Sequence, residues 1–268
     1  MMTDQQFRDQ VWQVSHELYR DMPWRREPTP YYVWVSELML QQTQVSRVIP
    51  KFEAFIDRFP TITVLAHSPQ SEVLRLWSGL GYNRRAKYLW RAAQEIQQRH
   101  NGHIPSTYHE LVELPGIGPN TAAAILNYAY QIPTAFVETN IRTVFFHHFF
   151  QDSQLVHDRE VLSLVNRTQD METPREWYWA LMDYGAHLKA TAGVRLDVSR
   201  HYKKQSPLVG SQREMRGRII RVLTSGPHNT EQLKKLVDGD ARFEPALSDL
   251  QREDMIELRD KKWRLRDE

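Results

Sequence analysis

The sequence predicts an all-α fold that ends in a small module with a two-stranded hairpin. Apolar residues recur three and four positions apart, as in Phe7, Val11, Val14 and Leu18, which is the spacing of an amphipathic helix. Strand-like alternation is nearly absent before residue 254. Proline- and glycine-containing stretches interrupt the helical pattern and mark turns.

The same spacing predicts helices over most of the chain. The predicted helices of the first part run over about 7–20, 29–48, 49–59, 63–66, 71–76, 83–100, 107–112, 120–129, 139–149, 159–165 and 175–189. Residues 190–209 are basic and are expected to be a linker. Residues 210–268 carry three predicted helices (213–224, 230–237, 245–253) and a hairpin (255–259, 262–265), which is typical of a winged helix.

Composition limits the function classes. Of 268 residues, 41 % are hydrophobic and 25 % are charged, which is the balance of a folded globular protein. No apolar run approaches the roughly 20 residues that span a membrane, and we expect a cytoplasmic protein. The chain has no cysteine, which excludes disulfides, thiolate catalysis and ordinary iron–sulfur clusters. A net charge of +2 permits nucleic-acid binding without indicating it.

A glycine-rich turn between two predicted helices is the sharpest local motif. Gly116 and Gly118 lie two apart in Leu114–Ala122. Glycine permits a tight hairpin, and the amides that open the next helix can hold a phosphate. The glycine spacing alone fits a ligand-free turn equally well. With its flanking residues the segment resembles the helix-hairpin-helix motif, so we expect DNA-backbone contacts at Gly116, Gly118, Asn120 and Thr121.

A polar stripe marks the predicted helix 29–48. Glu37, Gln41 and Gln44 are three and four apart among Trp and Met neighbours. Such a stripe is usually a solvated helix face. A carboxylic acid among apolar groups is instead expected to have a raised pKa and to serve as a general acid.

A second carboxylate, Glu138, precedes the predicted helix at Thr139. A helix N-terminus stabilises negative charge, so we expect Glu138 to stay ionised at neutral pH. An ordinary structural acid is the alternative. Two carboxylates in opposite protonation states are what cleavage of a glycosidic bond requires.

A second glycine turn, at Gly79 and Gly81, is followed by Tyr82 and by the basic residues Arg84 and Arg85. Alone it is a routine turn.

Taken together, these blocks resemble adenine-mismatch DNA glycosylases of the endonuclease III superfamily, in a variant that lacks the iron–sulfur cluster. The likeness begins at Met22-Pro23-Trp24-Arg25, continues through Asn140-Ile141-Arg142 and fades after 180–186. It implies a two-lobed helix-hairpin-helix glycosylase domain over 1–189, with 1–22 and 135–189 in one lobe and 23–134 in the other. A linker (190–209) and a winged-helix-like domain (210–268) follow.

The resemblance also implies a mechanism. The target adenine is flipped out of the duplex. Glu37 protonates its N7, Glu138 stabilises the sugar cation, Tyr82 assists, and Gln41 and Gln42 wedge into the gap.

Other roles are implied in the same way. Trp24, Arg25 and Asn140 line the base pocket, and Arg84 and Arg85 contact DNA. Bifunctional relatives carry a lysine nucleophile where this chain has Asn120, so base removal without efficient AP-lyase activity is expected. The resemblance implies no cofactor, except an alkali ion (Na⁺ or K⁺) at the main-chain carbonyls of Val112, Leu114 and Ile117.

Three departures from the family pattern bear on the substrate. The family usually has Asp where this chain has Glu138, and a displacement of about 1 Å can cost roughly a hundredfold in rate. The four cysteine positions would fall near Lys189, Leu196, Ser199 and Gln205. The C-terminal module is shorter than the family's Nudix-related domain, which reads the opposite 8-oxoguanine. Its turn 260–262, with Trp263 and Arg264, is expected to press on phosphates, although such modules often serve packing or dimerisation.

Three functions remain open. The first is removal of adenine opposite G or 8-oxoguanine from double-stranded DNA by a monomer. The second is removal of T or U opposite G, or of a damaged base. The third is DNA binding without catalysis.

Overall fold

The computed structural model describes residues 2–151, 155–192 and 207–268. Its helices in the first part are α1 (Asp4–Leu18), α2 (Pro23–Arg26), α3 (Pro30–Leu40), α4 (Val45–Arg58), α5 (Ile62–His67), α6 (Gln70–Trp77), α7 (Arg84–His100), α8 (Tyr108–Glu113), α9 (Pro119–Ile125), α10 (Thr139–Phe149), α11 (Asp158–Thr168) and α12 (Pro174–Thr191). A π-helical turn, Leu126–Tyr130, continues α9. The all-α prediction is confirmed, and among the described residues no helix is long and apolar enough to cross a bilayer.

Two boundaries differ from the sequence prediction. The chain 29–48 is not one helix, because α3 ends at Leu40 and α4 begins at Val45. Gln42 has a φ of 55°, a left-handed conformation that stops a helix. Between the predicted helices 7–20 and 29–48, the structure has the additional short helix α2, which Pro23 opens at its first position.

The described residues form two compact units. The first unit comprises residues 2–34, 106–113, 117–151 and 155–192. The second comprises Val35–Pro105, Leu114–Gly116 and residues 207–268, so the C-terminal module shares a unit with the helices from α4 to α7. The boundaries of these units differ from those of the expected lobes, which were 1–22 with 135–189 and 23–134. Of the predicted linker, residues 193–206 lie outside the described residues.

The core of the first unit is built around α12, which packs against α1 and α10. Phe7, Trp177, Tyr178 and Phe145 are fully buried there. The Phe7 ring lies 4.9 Å from Phe145 and 6.2 Å from Trp177, within the range of favourable aromatic contact. Aromatic packing therefore fixes the helix that carries the 180–186 segment.

A buried ion pair ties α2 to α12. Asp183, only 2 % exposed, accepts from Nη1 and Nη2 of the buried Arg25 at 2.6 and 3.0 Å. It also accepts from Nε of Arg20 at 2.6 Å. The Arg25 guanidinium lies 5.1 Å from the ring of Trp179 as well. The guanidinium also lies 5.4 Å from the ring of the exposed Tyr19. Arg25, expected to line a base pocket, thus makes these contacts within the first unit.

The C-terminal module has the expected three helices and hairpin. They are α13 (Gln212–Leu223), α14 (Thr230–Leu236), α15 (Phe243–Arg252), β1 (Ile256–Arg259) and β2 (Lys262–Leu265). The strands pair antiparallel, with Ile256 opposite Leu265. Asp260 and Lys261 both have positive φ, as a two-residue hairpin turn requires. Trp263 differs from its expected place at phosphates, because it is buried and its Nε1 donates to Thr230 Oγ1 at 3.0 Å.

The module is fixed to α6 and α7 inside the second unit. The buried Lys87 donates through Nζ to the main-chain oxygen of Glu253 and to Asp254 Oδ2, the latter at 3.2 Å. The buried Gln70 donates through Nε2 to the main-chain oxygen of Asp254 at 2.7 Å. Glu253 also pairs with Arg84. The acidic residues Glu253 and Asp254 at the end of α15 are therefore used for docking.

We predict that Asp183→Asn destabilises the protein by about 3–5 kcal/mol, because it leaves the buried Arg25 without a counter-charge. The free energy of unfolding in urea measures this loss. Asp21→Asn is the matched control, since the Asp21–Arg26 pair is exposed and its removal is expected to leave the unfolding midpoint unchanged. Equal effects of the two substitutions would contradict the assignment of Asp183 as a core charge.

Candidate active site

The end of α3 is held by one buried side chain. Arg85, 8 % exposed, donates to the main-chain oxygens of Leu38, Met39 (3.3 Å) and Gln41 (2.7 Å). Carbonyls at a helix C-terminus lack partners within the helix, and a cation there is also favoured by the helix dipole. Arg85 therefore fixes the turn that follows the Glu37 helix.

Arg85 also reaches the second glycine turn. Its Nη2 donates to the main-chain oxygens of Leu80 at 3.3 Å and Gly81 at 3.1 Å. Burial lowers the pKa of Arg85 to about 10, so the side chain stays charged at neutral pH. This location differs from the expected DNA contact, because Arg85 is buried and joins two turns from the inside.

The prediction that Glu37, Gln41 and Gln44 lie on one helix face is wrong. Glu37 lies half-buried in the last turn of α3, whereas Gln41 and Gln42 lie exposed in the turn that follows. Gln44 is the N-cap of α4. The helical spacing continued in the sequence past the point where Gln42 breaks the helix. The exposed Gln41–Gln42 turn, here named the wedge turn, keeps its two amides at the surface.

Tyr82 sits next to the wedge turn in the second unit, with a φ of 49°. The Arg85 guanidinium lies 5.4 Å from its ring centroid, and that of Arg213 lies 5.0 Å away. The Arg213 Nη1 donates to the Tyr82 hydroxyl. The C-terminal module therefore supplies a residue that contacts a predicted site residue.

Glu138 is the N-cap of α10, as its position in the sequence predicted. Its Oε1 accepts from the main-chain nitrogens of Asn140 at 2.5 Å and Ile141 at 3.1 Å. Hydrogen bonds of this kind favour the ionised carboxylate.

Burial has the opposite effect on the same group. Desolvation raises the pKa of Glu138 above its ordinary value, against the backbone hydrogen bonds of Ile141 and Asn140 and the charge of Lys189, which lower it. The expectation of a simply stabilised carboxylate was therefore incomplete, because it left out the cost of removing the charge from water.

Lys189 is the residue near Glu138 that the sequence analysis missed in this role. Its Nζ donates to Asn140 Oδ1 at 2.6 Å, and its charge acts on the carboxyl of Glu138. Burial lowers the pKa of Lys189 itself. Lys189 and Asn140 are 49 positions apart, and the sequence gave no signal for this contact.

A glycine of α12 makes room for this turn. A Cβ at Gly185 would lie 2.3 Å from the main-chain oxygen of Asn140, closer than any side chain permits. α12 can therefore approach the first turn of α10 only because residue 185 lacks a side chain. The first unit thus places Glu138, Asn140 and Lys189 together.

Comparisons with known proteins show which family the chain belongs to. Residues 35–167 match the family model described as "HhH-GPD superfamily base excision DNA repair protein". The adenine DNA glycosylase of Mycolicibacterium smegmatis is 34 % identical over 228 residues, which cover 76 % of this chain and 75 % of that protein.

The chain belongs to the HhH-GPD superfamily.

The match to a further relative spans a smaller share of that protein. The adenine DNA glycosylase of Buchnera aphidicola subsp. Baizongia pistaciae is 39 % identical over 171 residues, or 62 % of this chain and 48 % of that protein. The chain thus spans about half the length of that relative.

Solved structures share the fold. A thermostable thymine-DNA glycosylase superposes with a TM-score of 0.64 at 22 % identity, covering 72 % of this chain and 91 % of that one. An endonuclease III in a non-covalent DNA complex gives 0.55 at 19 % identity, covering 77 % and 91 %. Both confirm the HhH-GPD fold.

The hairpin of this HhH-GPD chain has the expected tight turn. Gly116 has a φ of 78°, and a Cβ there would lie 2.6 Å from that of Tyr88. Gly118 differs, because its backbone is extended and it precedes Pro119 at the start of α9. Asn120 donates through Nδ2 to the main-chain oxygen of Val137 at 2.9 Å.

The remaining predicted residues are placed as follows. Trp24 and Thr121 are buried within the first unit. Arg84 is exposed and paired with Glu253. Of the four expected cysteine positions, only Lys189 is described, and Leu196, Ser199 and Gln205 lie outside the described residues.

We predict opposite effects for the same change at two helical glycines. Gly185→Ala should destabilise the protein by about 1–3 kcal/mol, because its Cβ collides with the Asn140 backbone. Gly217→Ala, in α13, meets nothing within 4 Å and should stabilise by up to about 1 kcal/mol through helix propensity. Thermal unfolding measures both. A neutral Gly185→Ala would contradict the close approach of α12 to α10.

Proposed function

We propose that this chain is a DNA N-glycosylase of base excision repair that removes adenine mispaired with G or 8-oxoguanine. The observation that carries the proposal is the Glu138 turn, in which a half-buried carboxylate is held by two backbone amides beside Asn140 and Lys189. Family membership and the two relatives named adenine DNA glycosylases support the choice of reaction and base.

Glu37 is the proposed proton donor. Breaking the bond between the base and C1′ leaves the bonding electrons on the base, and a proton at N7 turns the adenine into a neutral leaving group. General acids of this kind contribute roughly 10²- to 10⁴-fold to a rate. Glu37 is half-buried at the end of α3, where Arg85 fixes the backbone around it.

Glu138 is the proposed partner of the sugar. Loss of the base leaves an oxocarbenium-like cation, which a nearby carboxylate stabilises before water adds at C1′. The two backbone amides fix the direction of the Glu138 carboxylate, so it need not reorganise as charge develops. Asn140 is proposed to contact the same nucleotide, with its amide oriented by Lys189.

The chain is proposed to lack efficient AP-lyase activity. Strand cleavage by the bifunctional mechanism needs an amine that forms a Schiff base with C1′. At position 120 this chain has an amide, which donates to Val137. Amide nitrogens are not nucleophiles of this type.

The remaining parts of the proposal concern the substrate, the oligomeric state, the location and the cofactor. The substrate is double-stranded DNA with a mismatch, bound by a monomer in the nucleoid. Hydrolysis needs only proton transfer and water, so no cofactor takes part. The main-chain carbonyls of Val112, Leu114 and Ile117 are neutral oxygen ligands suited to Na⁺ or K⁺. The proposed role of such an ion is to hold the hairpin.

A panel of mismatched duplexes tests the proposal. Adenine opposite G or 8-oxoguanine should be released in single-turnover assays, and the strand should break only after alkali treatment. Glu37→Gln should slow release roughly 10²- to 10⁴-fold while DNA affinity is retained. Gln5→Glu, an exposed change of the same size in α1, serves as control.

Other results of the panel decide between the alternatives. Release of T or U opposite G without release of adenine would replace adenine as the substrate. Absence of any release, with intact DNA binding, would favour a non-catalytic protein. Strand breaks without alkali, or a covalent adduct trapped by borohydride, would refute the lyase prediction.

The raised pKa of Glu138 predicts the acid side of the pH–rate profile. The reaction needs this carboxyl ionised, so the rate should fall as pH decreases through a pKa above the ordinary carboxyl value. Lys189→Met removes the positive charge that lowers this pKa and should move the fall to higher pH. Lys189→Arg keeps the charge and should leave the profile near its original position. An unchanged profile in Lys189→Met would contradict the coupling.

A further inference from the structure

Two cations lie on one face of α4 in the second unit, beside the segment that leads to the second glycine turn. Arg47 donates through Nη2 to the main-chain oxygen of Gly79. Lys51, one helical turn further on, donates through Nζ to the main-chain oxygen of Leu76 at 3.3 Å. A Cβ at Gly79 would lie 3.8 Å from Lys51 Cε, so both side chains reach the same glycine. Arg47 and Lys51 are here named the α4 cation pair.

The α4 cation pair has no counter-charge. In the part of the chain that the structure describes, no carboxylate forms an ion pair with either side chain. Arg58 of the same helix is different, because its guanidinium donates twice to Glu72 at 2.6 Å. Burial lowers the pKa of Lys51, and no opposite charge offsets this effect. Since like charges four positions apart on a helix also repel each other, α4 keeps two positive charges in a place where an anion would be favoured.

The carbonyls of 76–79 explain part of this arrangement. The last carbonyls of α6 lack partners within the helix, and a cation near them is favoured. Each carbonyl takes one N–H, however, whereas an arginine has five N–H donors and a lysine has three. Arg47 is exposed and Lys51 is half-buried. The pair therefore keeps donors that a second ligand can use.

The backbone fixes Arg47 close to the wedge turn. Gln44 is the N-cap of α4, and its main-chain oxygen accepts from the Arg47 nitrogen at 3.0 Å. Thr43 Oγ1 lies 3.3 Å from the main-chain oxygen of Gln41 and 3.4 Å from that of Leu80. The wedge turn, the second glycine turn and the start of α4 are thus joined by local hydrogen bonds.

DNA backbone is the anion that suits this position. The grooves of B-DNA are about 6 and 12 Å wide and are bounded by phosphates, so a turn that enters the base stack lies beside the backbone. A phosphodiester carries one negative charge and offers oxygen acceptors to a guanidinium and an ammonium. The chemistry of the pair and its place beside the wedge turn therefore point to the same ligand.

We propose that the α4 cation pair binds one backbone phosphate of DNA beside the wedge turn. The proposal rests on the proposed function, since the wedge turn must enter the duplex where the target base is extruded. Such a contact reads no sequence, because every nucleotide has the same phosphate, and it sets the register in which the wedge turn meets the duplex. The excision step itself stays with Glu37 and Glu138.

The salt dependence of binding tests this inference without catalysis. Fluorescence anisotropy gives the Kd of the full chain for a duplex that carries a tetrahydrofuran abasic analogue. One lost phosphate contact lowers the slope of log Kd against log salt by about 0.9. Between about 50 and 200 mM KCl, the double variant Arg47→Gln/Lys51→Gln should therefore lose about 3- to 4-fold less affinity than the wild type. Glutamine keeps an N–H donor for the main-chain carbonyls, so the charge is removed while the hydrogen bond can remain.

A matched double variant controls for net charge. Arg58→Gln/Arg167→Gln removes two exposed arginines that are already paired, with Glu72 and with Asp4. It should keep the wild-type slope. Arg47→Lys keeps the charge of the pair and should also keep the slope. Circular dichroism confirms that each variant is folded.

Neutral phosphates locate the contact. Duplexes carry one methylphosphonate, which lacks the negative charge, at successive positions around the abasic analogue on either strand. At the contacted position, the wild type should bind more weakly and with a lower salt slope. The double variant Arg47→Gln/Lys51→Gln should lose nothing further at that position, because its contact is already gone.

The outcomes are distinct. A wild-type slope in Arg47→Gln/Lys51→Gln overturns the inference and leaves the pair with the carbonyls of 76–79 alone. An equal loss of slope in the control variant, or a methylphosphonate scan in which the wild type and the double variant respond alike at every position, also overturns it. Failure of adenine release in the mismatch panel overturns the proposed function instead. The salt slopes do not depend on that reaction.

Discussion

One buried guanidinium organises the second unit. Arg85 donates hydrogen bonds to main-chain oxygens of two separate turns, and each turn carries residues of the candidate site. The first follows Glu37, and the second leads into Tyr82. A buried carbonyl that loses its donor costs about 1–3 kcal/mol. Without Arg85, the oxygens of Gln41, Leu80 and Gly81 would keep only the longer hydrogen bonds from Thr43 Oγ1 or Trp77 Nε1. The positions of Glu37, the proposed proton donor, of the wedge turn and of Tyr82 therefore depend on the same side chain.

The first unit solves the opposite electrostatic problem. It holds an acid where burial disfavours charge, and it offsets that cost with amides at the start of α10 and with the ammonium of Lys189. The balance depends on close helix packing, because α12 brings Lys189 near only through the missing side chain at Gly185. Charge placement and backbone approach are linked in this unit.

The sequence predicted the features that short segments determine. Glu138 as a helix cap, the tight turn at Gly116 and the Asp260–Lys261 hairpin each follow from residues within a few positions. The helix end at Leu40 was missed, since periodicity cannot show that Gln42 adopts a left-handed conformation. Arg85, Lys189 and Arg213 were misread or missed, because their partners lie far along the chain and a basic residue looks alike in either setting.

The docking of the C-terminal module has a consequence for fragments of this chain. Lys87 and Gln70 are buried beneath the Glu253–Asp254 turn, which supplies their acceptors. A fragment that ends before residue 207 would leave the ammonium of Lys87 and the amide of Gln70 facing apolar surroundings or water. The smallest fragment that keeps these contacts is thus longer than the stretch 35–167 that matches the family. A different C-terminal segment would have to supply an equivalent acidic turn.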